Sequence, residues 1–236
     1  MTDKAFETLV VHAGQEVIPP TPGGSPVTVP IYMGVGYAQQ DMQALDDVFT
    51  TGEGYVYARY GTPTVRAFEN AVATLEAAPE AVSYGSGMAA VAGAILGAGA
   101  KQGTTVVCAR DVYGATIGLL RDMLGKMGVD MVLVDITDHD AVAAALAAPE
   151  ATVLVCETVS NPLLVVADIP ALAEIAHQQG ATLVVDSTFA TPYLYRPYLD
   201  GADYVVHSAT KYIAGHDDVL AGVIAFLFQF GFRRLR

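Results

Sequence analysis

Asp203-Tyr204-Val205-Val206-His207-Ser208-Ala209-Thr210-Lys211-Tyr212 is an apolar run of strand character that ends in two hydroxyls and a lysine. Upstream, Thr182-Leu183-Val184-Val185-Asp186 is a second such run, ending in a carboxylate. Further strand-like runs occupy 104–108, 131–134, 152–156 and 222–226, and helical stretches lie between several of them, at 113–127, 140–147 and 169–179. Nearly continuous apolar strands alternating with helices predict an α/β fold. Its sheet is mostly parallel, with helices on both faces. Such sheets bind ligands at the carboxyl ends of their strands, where Asp186, Ser208, Thr210 and Lys211 fall.

The chain has 236 residues, 53% of them hydrophobic and 16% charged, enough for a large core and against global disorder. The net charge of −13 disfavours a nucleic-acid partner. Cys108 and Cys156 sit inside apolar runs and read as buried free thiols. No pair of histidines or cysteines has metal-ligand spacing, so no metal is expected. His207 and His216 flank the lysine and read as structural histidines. The N-terminus has no apolar signal core, and a cytoplasmic location is the default. Segment 81–100 is uncharged, but Ser83, Tyr84, Gly85, Ser86 and Gly87 break it as a loop would. A buried helix after a glycine turn is expected there, and no membrane partner.

Residues 1–60 are rich in Pro, Gly and Tyr and read as an arm or cover, with a loop at 19–24. Thr62 and Pro63 open a helix as N-cap and first turn. Residues 61–224 form the main domain, and 225–236 an atypical tail.

Three constellations carry chemistry. In Tyr84-Gly85-Ser86-Gly87-Met88-Ala89-Ala90, small residues lead into an apolar helix, whose open amides suit a phosphate. The same stretch fits G-x-G-x-x-A, with Asp111 at a suitable distance. A nicotinamide-dependent oxidoreductase using Gly85-x-Gly87 is therefore the competing reading. Second, a lysine amine, two hydroxyls and an acid at strand ends are what pyridoxal 5'-phosphate (PLP) needs. The amine bonds its aldehyde, the hydroxyls take its phosphate, and the acid pairs with its ring nitrogen. Third, Tyr55-Val56-Tyr57-Ala58-Arg59-Tyr60 interleaves aromatics with an arginine, which suits phosphate binding and stacking.

These residues resemble the Cys/Met-metabolism PLP enzymes, the group of cystathionine γ-synthase, cystathionine γ-lyase, methionine γ-lyase and O-acetylhomoserine sulfhydrylase. The matches include Val11-His12-Ala13-Gly14, Tyr57-Ala58-Arg59, Gly85-Ser86-Gly87-Met88-Ala89-Ala90 and Val112-Tyr113-Gly114. They continue through Glu157-Thr158-Val159-Ser160-Asn161-Pro162, Val185-Asp186-Ser187-Thr188-Phe189-Ala190-Thr191-Pro192 and Ser208-Ala209-Thr210-Lys211-Tyr212. The resemblance implies the large domain of a fold-type I PLP transferase. Lys211 would hold the cofactor and move protons, Asp186 would pair with its ring nitrogen, and Tyr113 would stack on the ring. Gly87, Met88, Ser208 and Thr210 would bind the phosphate, and Asn161 would lie near the ring hydroxyl. Tyr57 and Arg59 would reach the phosphate of a neighbouring subunit in a homodimer or homotetramer.

The implied activity is trans-sulfuration. A sulfur-containing or O-activated homoserine-type amino acid would lose or exchange its γ-substituent. Three departures stand out: Thr62 in place of asparagine, Ser187 in place of asparagine, and Asp217 in place of the common serine. The pattern fades near Val223-Ile224, so the small C-terminal domain is expected to be missing. A chain inactive in this form, or a non-catalytic paralogue serving as a subunit, are further expectations.

Overall fold

The computed structural model describes residues 5–17 and 24–227. The expected loop at 19–23 and the tail beyond Leu227 lie outside the described residues. Seven strands form one sheet: β1 (Glu80–Tyr84), β2 (Thr105–Ala109), β3 (Asp130–Val134), β4 (Ala151–Glu157), β5 (Thr182–Asp186), β6 (Tyr204–His207) and β7 (Gly222–Phe226). Their order across the sheet is β1-β7-β6-β5-β4-β2-β3. β3, β2, β4, β5 and β6 run parallel, while β7 is antiparallel to both β6 and β1. Every residue of β7 is buried, as are Val106–Ala109 of β2 and Val153–Glu157 of β4, so the sheet is covered on both faces.

The helices are α1 (Phe6–His12), α2 (Met42–Thr51), α3 (Pro63–Glu76), α4 (Gly87–Gly97), α5 (Gly114–Gly118), α6 (His139–Leu146), α7 (Ile169–Gln178) and α8 (Thr191–Leu194). Thr62 caps α3 as expected, its hydroxyl accepting the Val65 amide at 3.1 Å, with Pro63 in the first turn. Caps of the same kind start α6 at Asp138 and α7 at Asp168. In α4 the small side chains Ala90 and Ala94 are wholly buried, which lets the helix lie close against β6 and β7.

Two elements depart from expectation. The start of segment 81–100 is strand β1, not loop. Glu69 of α3 holds it there: its Oε1 accepts both the amide and the hydroxyl of Ser83. The stretch 113–127 is not one α-helix; after α5 it widens into a π-helical turn at Leu119–Leu124 and tightens into a 3-10 turn at Gly125–Met127.

Residues 24–60 run along the surface with few buried side chains. Neither α1 nor α2 buries a residue, and Val27, Ile31 and Met33 are each more than three-quarters exposed. The arm is tied to the body through Thr64, whose hydroxyl accepts the Tyr32 amide and donates to the Pro30 carbonyl. Cys108 and Cys156 are buried and unpaired, and burial pushes the Cys108 thiol up to about 12. No helix among the described residues is long and apolar enough to cross a membrane.

Candidate active site

Strand directions bring the chemistry to one edge. β2, β4, β5 and β6 end there. β7, running the opposite way, starts there, and β1 again ends there. Register fixes the row: Glu157 pairs with Asp186, Asp186 with Val206, His207 with Val223, and Tyr84 with Gly222.

At one end of the row the glycine turn leads into α4. Ser86 is the N-cap: its hydroxyl accepts the Ala89 amide and its carbonyl the Ala90 amide. The amides of Gly87 and Met88 have no acceptor among the described residues, so a helix N-terminus offers open donors. Ser208 stands against this turn. A Cβ on Gly87 would come within 2.6 Å of the Ser208 Cβ and Oγ, so only glycine admits the approach. The Ser208 hydroxyl has no partner among the described residues. Gly222 does the same from beneath, where a Cβ would meet the Ser86 carbonyl oxygen at 2.2 Å.

Lys211 follows in the loop between β6 and β7 and is exposed. Its loop is pinned by Thr210, whose hydroxyl donates to the Ala221 carbonyl at 3.1 Å and accepts the Ala221 amide at 3.0 Å. Thr210 therefore lies at the expected edge with its proton engaged. Asp217, further along this loop, is exposed and takes a left-handed backbone (φ 57°) that aspartate tolerates.

Asp186 ends β5 half-buried. One of its oxygens accepts the Thr188 amide at 2.9 Å and the Thr188 hydroxyl at 2.5 Å. Burial pushes this carboxyl up, and the two Thr188 bonds and the nearby His207 pull it back. The Thr188 hydroxyl also accepts the Ser208 amide at 2.8 Å, which joins the acid to the phosphate turn. Beneath, His207 meets Glu76 of α3 at 2.6 Å with both side chains fully buried. The expected structural role of His207 thus has a partner.

Tyr113 precedes α5 and is about half exposed; Asn161 precedes the cis Pro162. Their amides converge on one side chain, Glu157, at 2.8 and 2.7 Å. Burial first, then the neighbouring Asp186, push the Glu157 carboxyl up to about 7, against the pull of both amides. Tyr57 and Arg59 stand apart. The guanidinium lies 4.9 Å from the Tyr57 ring centroid and 5.3 Å from that of Tyr60. Among the described residues no hydrogen bond, ion pair or ring contact joins either of them to the site.

The sequence marks Glu157 and Thr188 only as parts of longer motifs. A carboxylate ending an apolar strand, the cue that singled out Asp186, also marks Glu157. Nothing local marks Thr188.

The residues fit PLP: open amides and a free hydroxyl for a phosphate, a carboxylate for a ring nitrogen, and an exposed amine. Fold and site together define a fold-type I PLP enzyme domain. The chain belongs to the Cys/Met metabolism PLP-dependent enzyme family, whose profile matches residues 7–229. It is 39% identical to a probable cystathionine gamma-synthase of Herpetosiphon aurantiacus, over 94% of this chain and 66% of that protein. It is 38% identical to cystathionine beta-lyase MetC of Bacillus subtilis, over 93% of this chain and 53% of that protein. A crystal structure of a putative O-acetylhomoserine (thiol)-lyase from Campylobacter jejuni, which carries a pyridoxyl-lysine monophosphate, superposes with a TM-score of 0.87 at 28% identity. It covers 96% of this chain and 55% of that one. The chain thus spans about half to two thirds of the length of these relatives.

The nicotinamide reading finds no support. In a dinucleotide fold the strand before the glycine turn is central and parallel to its neighbours. Here that strand, β1, lies at the sheet edge and pairs antiparallel with β7.

Proposed function

We propose that this chain is the cofactor-binding domain of a PLP-dependent trans-sulfuration enzyme. Its substrates are sulfur-containing or O-activated homoserine-type amino acids, whose γ-substituent is eliminated or replaced. The observation that carries the reading is the meeting, at one sheet edge, of exposed Lys211, half-buried Asp186 and the open turn of α4.

When bound, PLP supplies an electron sink that no side chain offers. Lys211 would hold it through its side-chain amine, the same group that would take up the substrate's Cα proton. Asp186 would pair with the ring nitrogen and favour its protonated form, and Thr188 fixes the direction of its carboxylate. The amides of Gly87 and Met88 and the Ser208 hydroxyl hold the phosphate. Thr210 would add its hydroxyl only by releasing Ala221, and otherwise keeps the lysine loop in place. Tyr113 would cover the ring and Asn161 would lie near its hydroxyl.

Tyr57 and Arg59 serve the site of a second copy in a homodimer or homotetramer. The solvent-facing apolar residues of the arm support this, since an arm without a core needs a surface to cover it. The domain division keeps the arm at 1–60 and starts the PLP-binding domain at 61, but Ala225 and Phe226, expected in a tail at 225–236, end β7 and belong to that domain; the location is read as cytoplasmic.

The test is a visible spectrum of the purified, dialysed chain after PLP is added, with borohydride trapping and peptide mapping. Label on Lys211 in the parent chain, and none in Lys211→Ala, is the expected result. Trapping that persists in Lys211→Ala refutes the assignment.

A further inference from the structure

Glu157 ends β4 directly beside Asp186 and is 8% exposed as a residue. Its Oε1 accepts the Tyr113 amide at 2.8 Å and its Oε2 the Asn161 amide at 2.7 Å. The two loops follow different strands, β2 and β4. Among the described residues no other hydrogen bond joins segment 110–118 to segment 157–168. We infer that Glu157 is a positioning residue, a clamp that holds the Tyr113 and Asn161 loops at a fixed separation over the cofactor seat.

The chemistry of the contact demands a carboxylate. Both arms of the clamp receive an N–H, so both atoms must accept. Glutamine is isosteric but presents an NH2 to one of the two amides and can satisfy only the other. Aspartate is one methylene too short to span both loops. A buried charge is costly, and here two charge-assisted bonds offset part of the cost, burial still leaving the carboxyl raised.

The same geometry couples the clamp to occupancy. Facing Glu157 are Asp186 on β5 and the neutral thiols Cys108 on β2 and Cys156 on its own strand. Repulsion from Asp186 favours the protonated form of Glu157, which grips the second amide poorly. A cation paired with Asp186 cancels that repulsion, so filling the ring seat tightens both arms. This part rests on the PLP reading above; the clamp itself does not.

The experiment compares the parent chain with Glu157→Gln, Glu157→Asp and Glu157→Ala. Amide hydrogen exchange is followed by mass spectrometry on peptides covering Tyr113 and Asn161. PLP affinity is measured at pH 6 and pH 8. Loss of a bond to a charged acceptor corresponds to roughly a tenfold to hundredfold effect. Exchange should rise by that order at both loops in Glu157→Ala and at one loop in Glu157→Gln. PLP affinity should fall with it, and the parent should gain more than Glu157→Gln between pH 6 and pH 8. Unchanged exchange in Glu157→Ala overturns the clamp. Faster exchange with unchanged PLP affinity in every variant overturns the positioning role. If the parent chain takes up no PLP, the proposed function fails, and the exchange data still decide the clamp.

Discussion

Gly222→Ala adds a single methyl group at the start of β7, on a residue that carries no ligand-binding group itself but lies under the turn that does. Its Cβ would arrive 2.2 Å from the Ser86 carbonyl oxygen and 2.9 Å from the Ala90 Cβ. The oxygen is backbone, and it accepts the Ala90 amide in the first turn of α4 at 3.1 Å. To reach an ordinary contact, the turn must retreat by more than an ångström. Overpacking of this kind costs about 1–3 kcal/mol, against a gain of about 0.5–1 kcal/mol from replacing glycine in a strand. The clash wins, and the net loss corresponds to a melting temperature lower by roughly 2–8 °C in a chain of this size. The retreat also carries the Gly87 and Met88 amides away from Ser208, so phosphate affinity should fall with stability. Thermal unfolding by circular dichroism and a titration with PLP read the two effects. A melting temperature within about 1 °C of the parent and an unchanged PLP affinity would refute the account of Gly222 as the floor of the turn.

Other expectations follow from the same geometry. Thr188→Val removes the hydroxyl that Asp186 and the Ser208 amide share, and should destabilise the chain by roughly 1–3 kcal/mol. Thr188→Ser should restore most of that loss in denaturant unfolding. Glu76→Ala leaves the buried His207 imidazole without its hydrogen-bond partner, which costs about 1–3 kcal/mol; a urea midpoint equal to the parent's would count against it. Glu157 has a carboxyl raised from 4.5 to about 7 in the fold, so its contribution to stability is complete below 4.5 and is lost as pH rises through about 7. That loss is roughly 3 kcal/mol, and Glu157→Gln should lack it. Parallel stability–pH curves for the two chains between pH 5 and pH 8 would sink this assignment. Cys108 and Cys156 should resist a thiol reagent in the native chain and both react in urea; rapid native labelling would contradict their burial.

Much of the fold was legible because the parallel strands are buried on both faces. Val184-Val185 and Val205-Val206 can be little else than central strands, and β5, β6 and β7 fall where the sequence places them. β1 was not legible. Glu80-Ala81-Val82-Ser83-Tyr84 has weak strand character, and its state is decided by Glu69, which is distant in sequence and grips Ser83. The site divides in the same way. Lys211, Asp186 and the glycine turn announce themselves by residue type next to an apolar run. Thr188 and the two-loop grip of Glu157 depend on which strands become neighbours, and register is not written locally.

The position of β7 has a consequence for how the chain assembles. β7, the last strand among the described residues, occupies the slot between β6 and β1, so Tyr84 waits for Gly222 as its pairing partner. A chain emerging from the ribosome presents β1 with its hydrogen-bonding edge bare until the residues after the lysine loop have been made. The turn of α4 lacks its floor for the same interval. Such late closure gives slow folding and an exposed strand edge on the way. The lysine is thus made before the strand that completes its pocket, and a nascent chain halted at Tyr212 would hold nearly every site residue and still have no phosphate seat.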